Sequence, residues 1–103
     1  MRGGGAAGGG AVGLVEVRGL TGAIAAADVM VKSAPVSIGR PVLIGDGLVS
    51  VVCRGDIASV HEAVEAGSQA AVRLGSLIGR RTFGRLLPEV DVCFRFEGRE
   101  PSS

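Results

Sequence analysis

A chain of 103 residues with 11 basic and 10 acidic side chains, a net charge of +1, is sized for one domain and has no charge excess to draw it to nucleic acid. It is 47% hydrophobic with a mean hydropathy of +0.43, yet aromatics make up 3% and Trp is absent. With three Phe and no Tyr, the chain shows no evident set of base-stacking rings, and no uninterrupted apolar run approaches the ~18 residues of a membrane-spanning helix.

In chain order, residues 1–10 are Gly and Ala of low complexity and are expected to form a disordered tail. The tail holds a formal G-x-G-x-x-G at Gly3, Gly5 and Gly8, but no strand precedes it and no helix opens from it, so it does not read as a dinucleotide site. Ala11 to Arg18 alternates in its second half, with Leu14 and Glu16 on one face and Val15 and Val17 on the other, and predicts a strand. A helix capped by Thr21 follows to about Lys32, with Ile24, Ala27 and Val31 as its apolar stripe. Pro35 to Ile38 predicts a short second strand, then a loop at Gly39-Arg40-Pro41.

The acidic turn Gly45-Asp46-Gly47 comes next, and Leu48 to Cys53 predicts a strand covered on both faces. Asp56 is placed to cap a helix from Ile57 to about Arg73, whose Ile57, Val60, Ala63, Val64, Gly67, Ala71 and Leu74 share one face. Arg81 to Leu86 reads as a fourth strand ended by Pro88, and residues 98–103 as a frayed terminus, leaving a domain over 11–97. The order β-α-β-β-α-β is that of an α+β, ferredoxin-like sandwich, an antiparallel sheet with both helices on one face.

Groups for chemistry do not converge. His61 sits on the second helix beside Glu62 and Glu65 with no nucleophile near it in sequence, and no catalytic residue is assigned. Cys53 and Cys93 lie forty residues apart without a CxxC pair, so neither a metal site nor a disulfide is expected. Arg80, Arg81 and Arg85 form a basic group that reads as a rim or interface before it reads as an anion site. Asp28 and Lys32 are spaced to pair along a helix. The first residues lack the apolar core of a secretory signal, and no cofactor is expected.

Two segments carry a family resemblance: AVGLVEVRGLTGAIAAADVMVKSAPV, residues 11–36, and IGDGLVSVVCRGDIASVHEAVEAG, residues 44–67. In order and spacing they resemble the single-domain shell proteins of bacterial microcompartments, the carboxysome and metabolosome family whose cyclic hexamers tile into facets. The resemblance implies a cytoplasmic shell component with no chemistry of its own, assembled as a homohexamer beside other shell proteins and encapsulated enzymes. It implies that Ile44, Gly45, Asp46 and Gly47 line a pore on the sixfold axis through which small metabolites pass. A ring of six Asp46 carboxylates would favour cations and neutral polar solutes over anions. Lys32 matches the family's lysine at the edge between hexamers, and Arg85 the arginine of its Arg-Pro-His edge motif, although Leu86 and Leu87 follow here.

The alternative from another class is a trimeric P-II-like regulator of ferredoxin fold, binding nucleotide or a small metabolite between subunits. It requires a phosphate-binding cluster and a long exposed loop, and the sequence supplies neither clearly. A ferredoxin-like monooxygenase or mutase would need His or Tyr in the sheet cavity, and Tyr is absent.

Overall fold

The structure, a computed structural model, describes residues 10–84. Its elements are β1 (Ala11–Arg18), α1 (Leu20–Ser33), β2 (Ser37–Ile38), β3 (Val42–Gly45), β4 (Leu48–Gly55), α2 (Ile57–Arg73) and β5 (Leu77–Phe83). β4 and β1 lie at the centre of one antiparallel sheet, with β5 beyond β1 and both β2 and β3 along the outer side of β4. Each helix carries the chain across a central strand, α1 from β1 over β4 to β2 and α2 from β4 over β1 to β5. This is the expected β-α-β-β-α-β order with its second strand in two pieces.

The break in that strand has a local cause. Pro41 offers no N–H to a ladder, so pairing stops at Ile38 and resumes at Val42. Gly39 N donates to Val52 O at 3.0 Å and keeps the intervening loop aligned with β4. The sequence suggested Pro35 to Ile38 alone for this position; β3 is an addition.

The main core lies between the helices and one face of the sheet. Val15, Val17, Val49 and Val51 project from the strands onto Ala23, Ala26 and Met30 of α1 and Val60, Ala63, Val64 and Ala71 of α2. Burying one such valine stabilises the fold by roughly 1.5 kcal/mol or more. Small residues set the spacing: a methyl group at Gly13 of β1 would overlap Val60 and Val64, and one at Gly67 of α2 would overlap Met30. On the opposite face, Val12, Leu14 and Val52 form a second buried cluster.

Three expectations are corrected. Helix α1 begins at Leu20, so Thr21 lies inside it, and the N-cap position is held by Gly19, φ 92°, which has no side chain to cap with. Its buried residues are Gly22, Ala23, Ala26 and Met30, whereas Ile24 and Val31 are 59% and 52% exposed. The helix rests so close to the sheet that its small residues turn inward and its branched ones outward. The last strand starts at Leu77, four residues before the expected Arg81, with Gly79 accommodated opposite Glu16 beside a register shift at Glu16/Val17. Leu86, the tail over residues 1–9 and the terminus over 98–103 lie outside the described residues.

Asp56 caps α2 as its position predicts. Ser59 N and Ser59 Oγ donate to the two carboxylate oxygens at 2.9 and 3.0 Å. These bonds, the Ser59 amide first, hold the Asp56 carboxyl below its ordinary range. The stabilisation is therefore complete above the ordinary aspartate pKa of ~4 and is lost as pH falls through the lowered folded value. Asp56→Asn keeps an acceptor but not the charge, so its melting temperature should lie below that of the parent at pH 7. The difference should begin to narrow below about pH 4 and close once the pH is below the lowered folded value; thermal melts across that range check it, and a constant difference would contradict it.

Candidate functional site

The Gly45-Asp46-Gly47 turn joins β3 to β4. Its three residues have φ of 121°, 56° and 79°, so three consecutive positions lie in the region that favours glycine. Gly45 pairs with Leu48, making Asp46-Gly47 a two-residue hairpin loop, and positive φ at both matches the type I′ turn for which Asp-Gly is a preferred sequence. Gly45 itself absorbs the register shift between Leu43 and Gly45. Asp is among the few residues with a side chain that tolerate this backbone region, so charge can be carried at the tip.

The turn is tied down from behind. Gly19 N donates to Gly47 O at 2.7 Å, and Arg18 Nη1 approaches Asp46 O at 3.4 Å. Arg18 N donates to Ser76 O at 2.8 Å, which brings the α2–β5 connection to the same end of the sheet. In front the tip is open: Ile44 to Gly47 are exposed, and a Cβ at Gly45 or Gly47 would meet nothing within 4 Å. Leu43 and Ile44, at 74% and 52% exposure, leave apolar surface beside the carboxylate.

The structure thus brings Ile44, Gly45, Asp46 and Gly47 together in one exposed projection. Lys32 stands elsewhere, near the far end of α1. The helix starts next to the turn and rises ~1.5 Å per residue, which separates the two by about 20 Å along its axis. Lys32 Nζ donates to Asp28 Oδ2 at 3.1 Å, the expected pair one helical turn apart, and its side chain is 73% exposed. Arg85 lies outside the described residues.

The chemical candidates disperse. His61 is exposed on α2. Cys53 is buried facing the helices, and burial pushes its thiol up to about 11, away from the reactive thiolate; Cys93 lies outside the described residues. Among the described residues no group of three or more His, Cys, Asp or Glu side chains could hold a metal ion. Arg80 and Arg81 do not converge, because neighbours on a strand point to opposite faces. Arg80 donates to Glu65 at 2.8 Å and, with Gln69, holds the Glu65 carboxyl below its usual range.

Sequence reasoning missed the two bonds that reach the turn from Gly19 and Arg18. Gly19 was visible as a strand break, but its partner is twenty-eight residues away.

Residues 11–85 match the BMC domain family. The chain belongs to this family. It is 46% identical over 82 residues to the bacterial microcompartment shell protein PduA of Salmonella typhimurium, a match covering 80% of this chain and 85% of that one. It is 40% identical over 83 residues to the carboxysome shell protein CsoS1B of Halothiobacillus neapolitanus, covering 80% and 76% of the two. The carboxysome assembly protein CcmO of Synechocystis is 41% identical over 80 residues, but the chain spans 27% of that longer protein. In three dimensions the chain is similar to a microcompartment protein from Desulfitobacterium hafniense, with a TM-score of 0.75 and 29% identity. That likeness covers 91% of this chain and 50% of that one. A BMC-domain shell protein of this kind is a structural component and not an enzyme.

Proposed function

We propose that six copies of this shell protein close into a ring in which the Gly45-Asp46-Gly47 turns meet around the axis and line a pore for small metabolites. The observation that carries this reading is the turn itself: a carboxylate at the tip of a rigid, exposed hairpin, anchored at its base by the Gly19–Gly47 bond. Ile44 lines the wall behind the tip, and the Asp46 carboxylates favour cations and neutral polar solutes over anions. Family membership supports a place in the shell of a microcompartment in the bacterial cytoplasm, next to other shell proteins and the enzymes they enclose.

The exposed apolar residues support assembly. Leu20, Ile24, Leu43 and Ile44 are each more than half exposed, an arrangement that association with further copies would bury. Lys32, far from the turn, is placed for contacts between rings, with Arg85 as its proposed companion at the edge.

Two variants test the assignments separately. Asp46→Asn tolerates the same positive φ and removes one charge per copy. Across a planar film of assembled protein in a salt gradient, the parent should give a cation-selective reversal potential, and the cation-to-anion permeability ratio of the variant should fall by roughly tenfold. An unchanged ratio would remove Asp46 from the pore. Lys32→Ala should preserve the isolated ring by native mass while abolishing extended sheets in electron micrographs; sheets of normal extent would count against the edge role.

A further inference from the structure

A basic side chain stands directly behind the acidic tip. Arg18 is the last residue of β1, and the Gly19–Gly47 bond fixes that end of the strand against the turn. Its guanidinium Nη1 lies 3.4 Å from the main-chain oxygen of Asp46. Alternation along β1 decides on which side it stands. Val15 and Val17 belong to the core under the helices, so Arg18, with Leu14 and Glu16, belongs to the opposite face of the sheet.

The charge is held there without being cancelled. Arg18 approaches the backbone of Asp46 and not its carboxylate, and among the described residues no acidic side chain forms an ion pair with it. Glu16, the next residue of β1 on the same face, starts about 7 Å back along the strand. The Arg18 side chain is exposed, while its amide donates to Ser76 O at 2.8 Å, so the backbone from which it projects is fixed. Asp46 and Arg18 thus put opposite charges within the ~8 Å screening length of physiological salt, and a solute at the tip feels both.

Resting on the pore reading above, we propose that Arg18 is a second charge-determining residue of the pore: six guanidinium groups form a cationic rim behind the Asp46 ring, on the sheet face away from the helices. Six negative charges at the tip and six positive ones behind it nearly balance. The rim therefore limits the cation preference that the Asp46 ring confers, and it makes the two mouths of the pore electrically different. Solutes with no net charge but with strong donors and acceptors gain at both rings. Their hydroxyl or ammonium groups donate to the carboxylates, and their carbonyl or carboxylate oxygens accept from the guanidinium groups. The class this pore passes best is small, polar and neutral overall, hydroxylated or zwitterionic.

Arg18→Gln removes the charge and keeps a donor for Asp46 O, whereas Arg18→Lys keeps both. Each is assembled into the planar film beside the parent and Asp46→Asn, with native mass showing that the ring is intact; Arg18→Met stands in for Arg18→Gln if the latter does not assemble. In a salt gradient the cation-to-anion permeability ratio of the neutral variant should rise by roughly threefold, less than the Asp46→Asn change because the guanidinium stands farther from the tip. Arg18→Lys should stay near the parent. An unchanged ratio in the neutral variant, with a lowered one in Asp46→Asn, would overturn the rim and leave the Asp46 pore standing. An equal rise in Arg18→Gln and Arg18→Lys would overturn it too, because arginine would then act on the shape of the turn and not through its charge. If neither Asp46→Asn nor the neutral Arg18 variant moves the ratio, the turns do not line the pore at all and the rim falls with them.

Discussion

The hydrogen bond from Gly19 N to Gly47 O, at 2.7 Å, couples the start of α1 to the tip of the β3–β4 hairpin, and the proposed function depends on that coupling. A type I′ turn alone would fix the local backbone but leave the hairpin free to swing about its base. The bond seats the turn on the β1–α1 junction, which the central β1–β4 ladder holds in place. The helix starts at Leu20 without a side-chain cap because its N-cap residue, Gly19, has no side chain, and the φ of 92° there is one that a glycine adopts readily.

The same economy of side-chain size runs through the core. Gly13, Gly67 and the Ala23/Ala26 face of α1 bring helices and sheet close enough that valines fill the space between them. The branched side chains that the helix does not bury, Ile24 and Val31, are consequently on the outside.

Much of this was legible in the sequence where the signal is local. The Asp56 cap, the α2 face from Val60 to Ala71, though not its expected ends Ile57 and Leu74, which are exposed, the Asp28–Lys32 pair and the Gly-Asp-Gly turn each follow from residues within a few positions of one another. What periodicity could not settle was which face of α1 is buried. Ile24, Ala27 and Val31 make a valid stripe, but the close approach of α1 at Gly22, where an added methyl would overlap Ser76, decides for the smaller one. The early start of β5 was hidden because Gly79 reads as a breaker, whereas pairing against β1 overrides that preference. The family resemblance reached further than propensity did, since it rests on the order of whole segments.

The central claim is that the acidic turn lies on the axis of a closed sixfold ring. Electron cryomicroscopy of the purified protein, with its native mass measured on the same preparation, tests that most directly. The account predicts a mass of about 62 kDa for six chains of 10.3 kDa and a ring with the Gly45-Asp46-Gly47 turns nearest the axis. A trimer, a monomer, or a ring with those turns on its outer rim would contradict it.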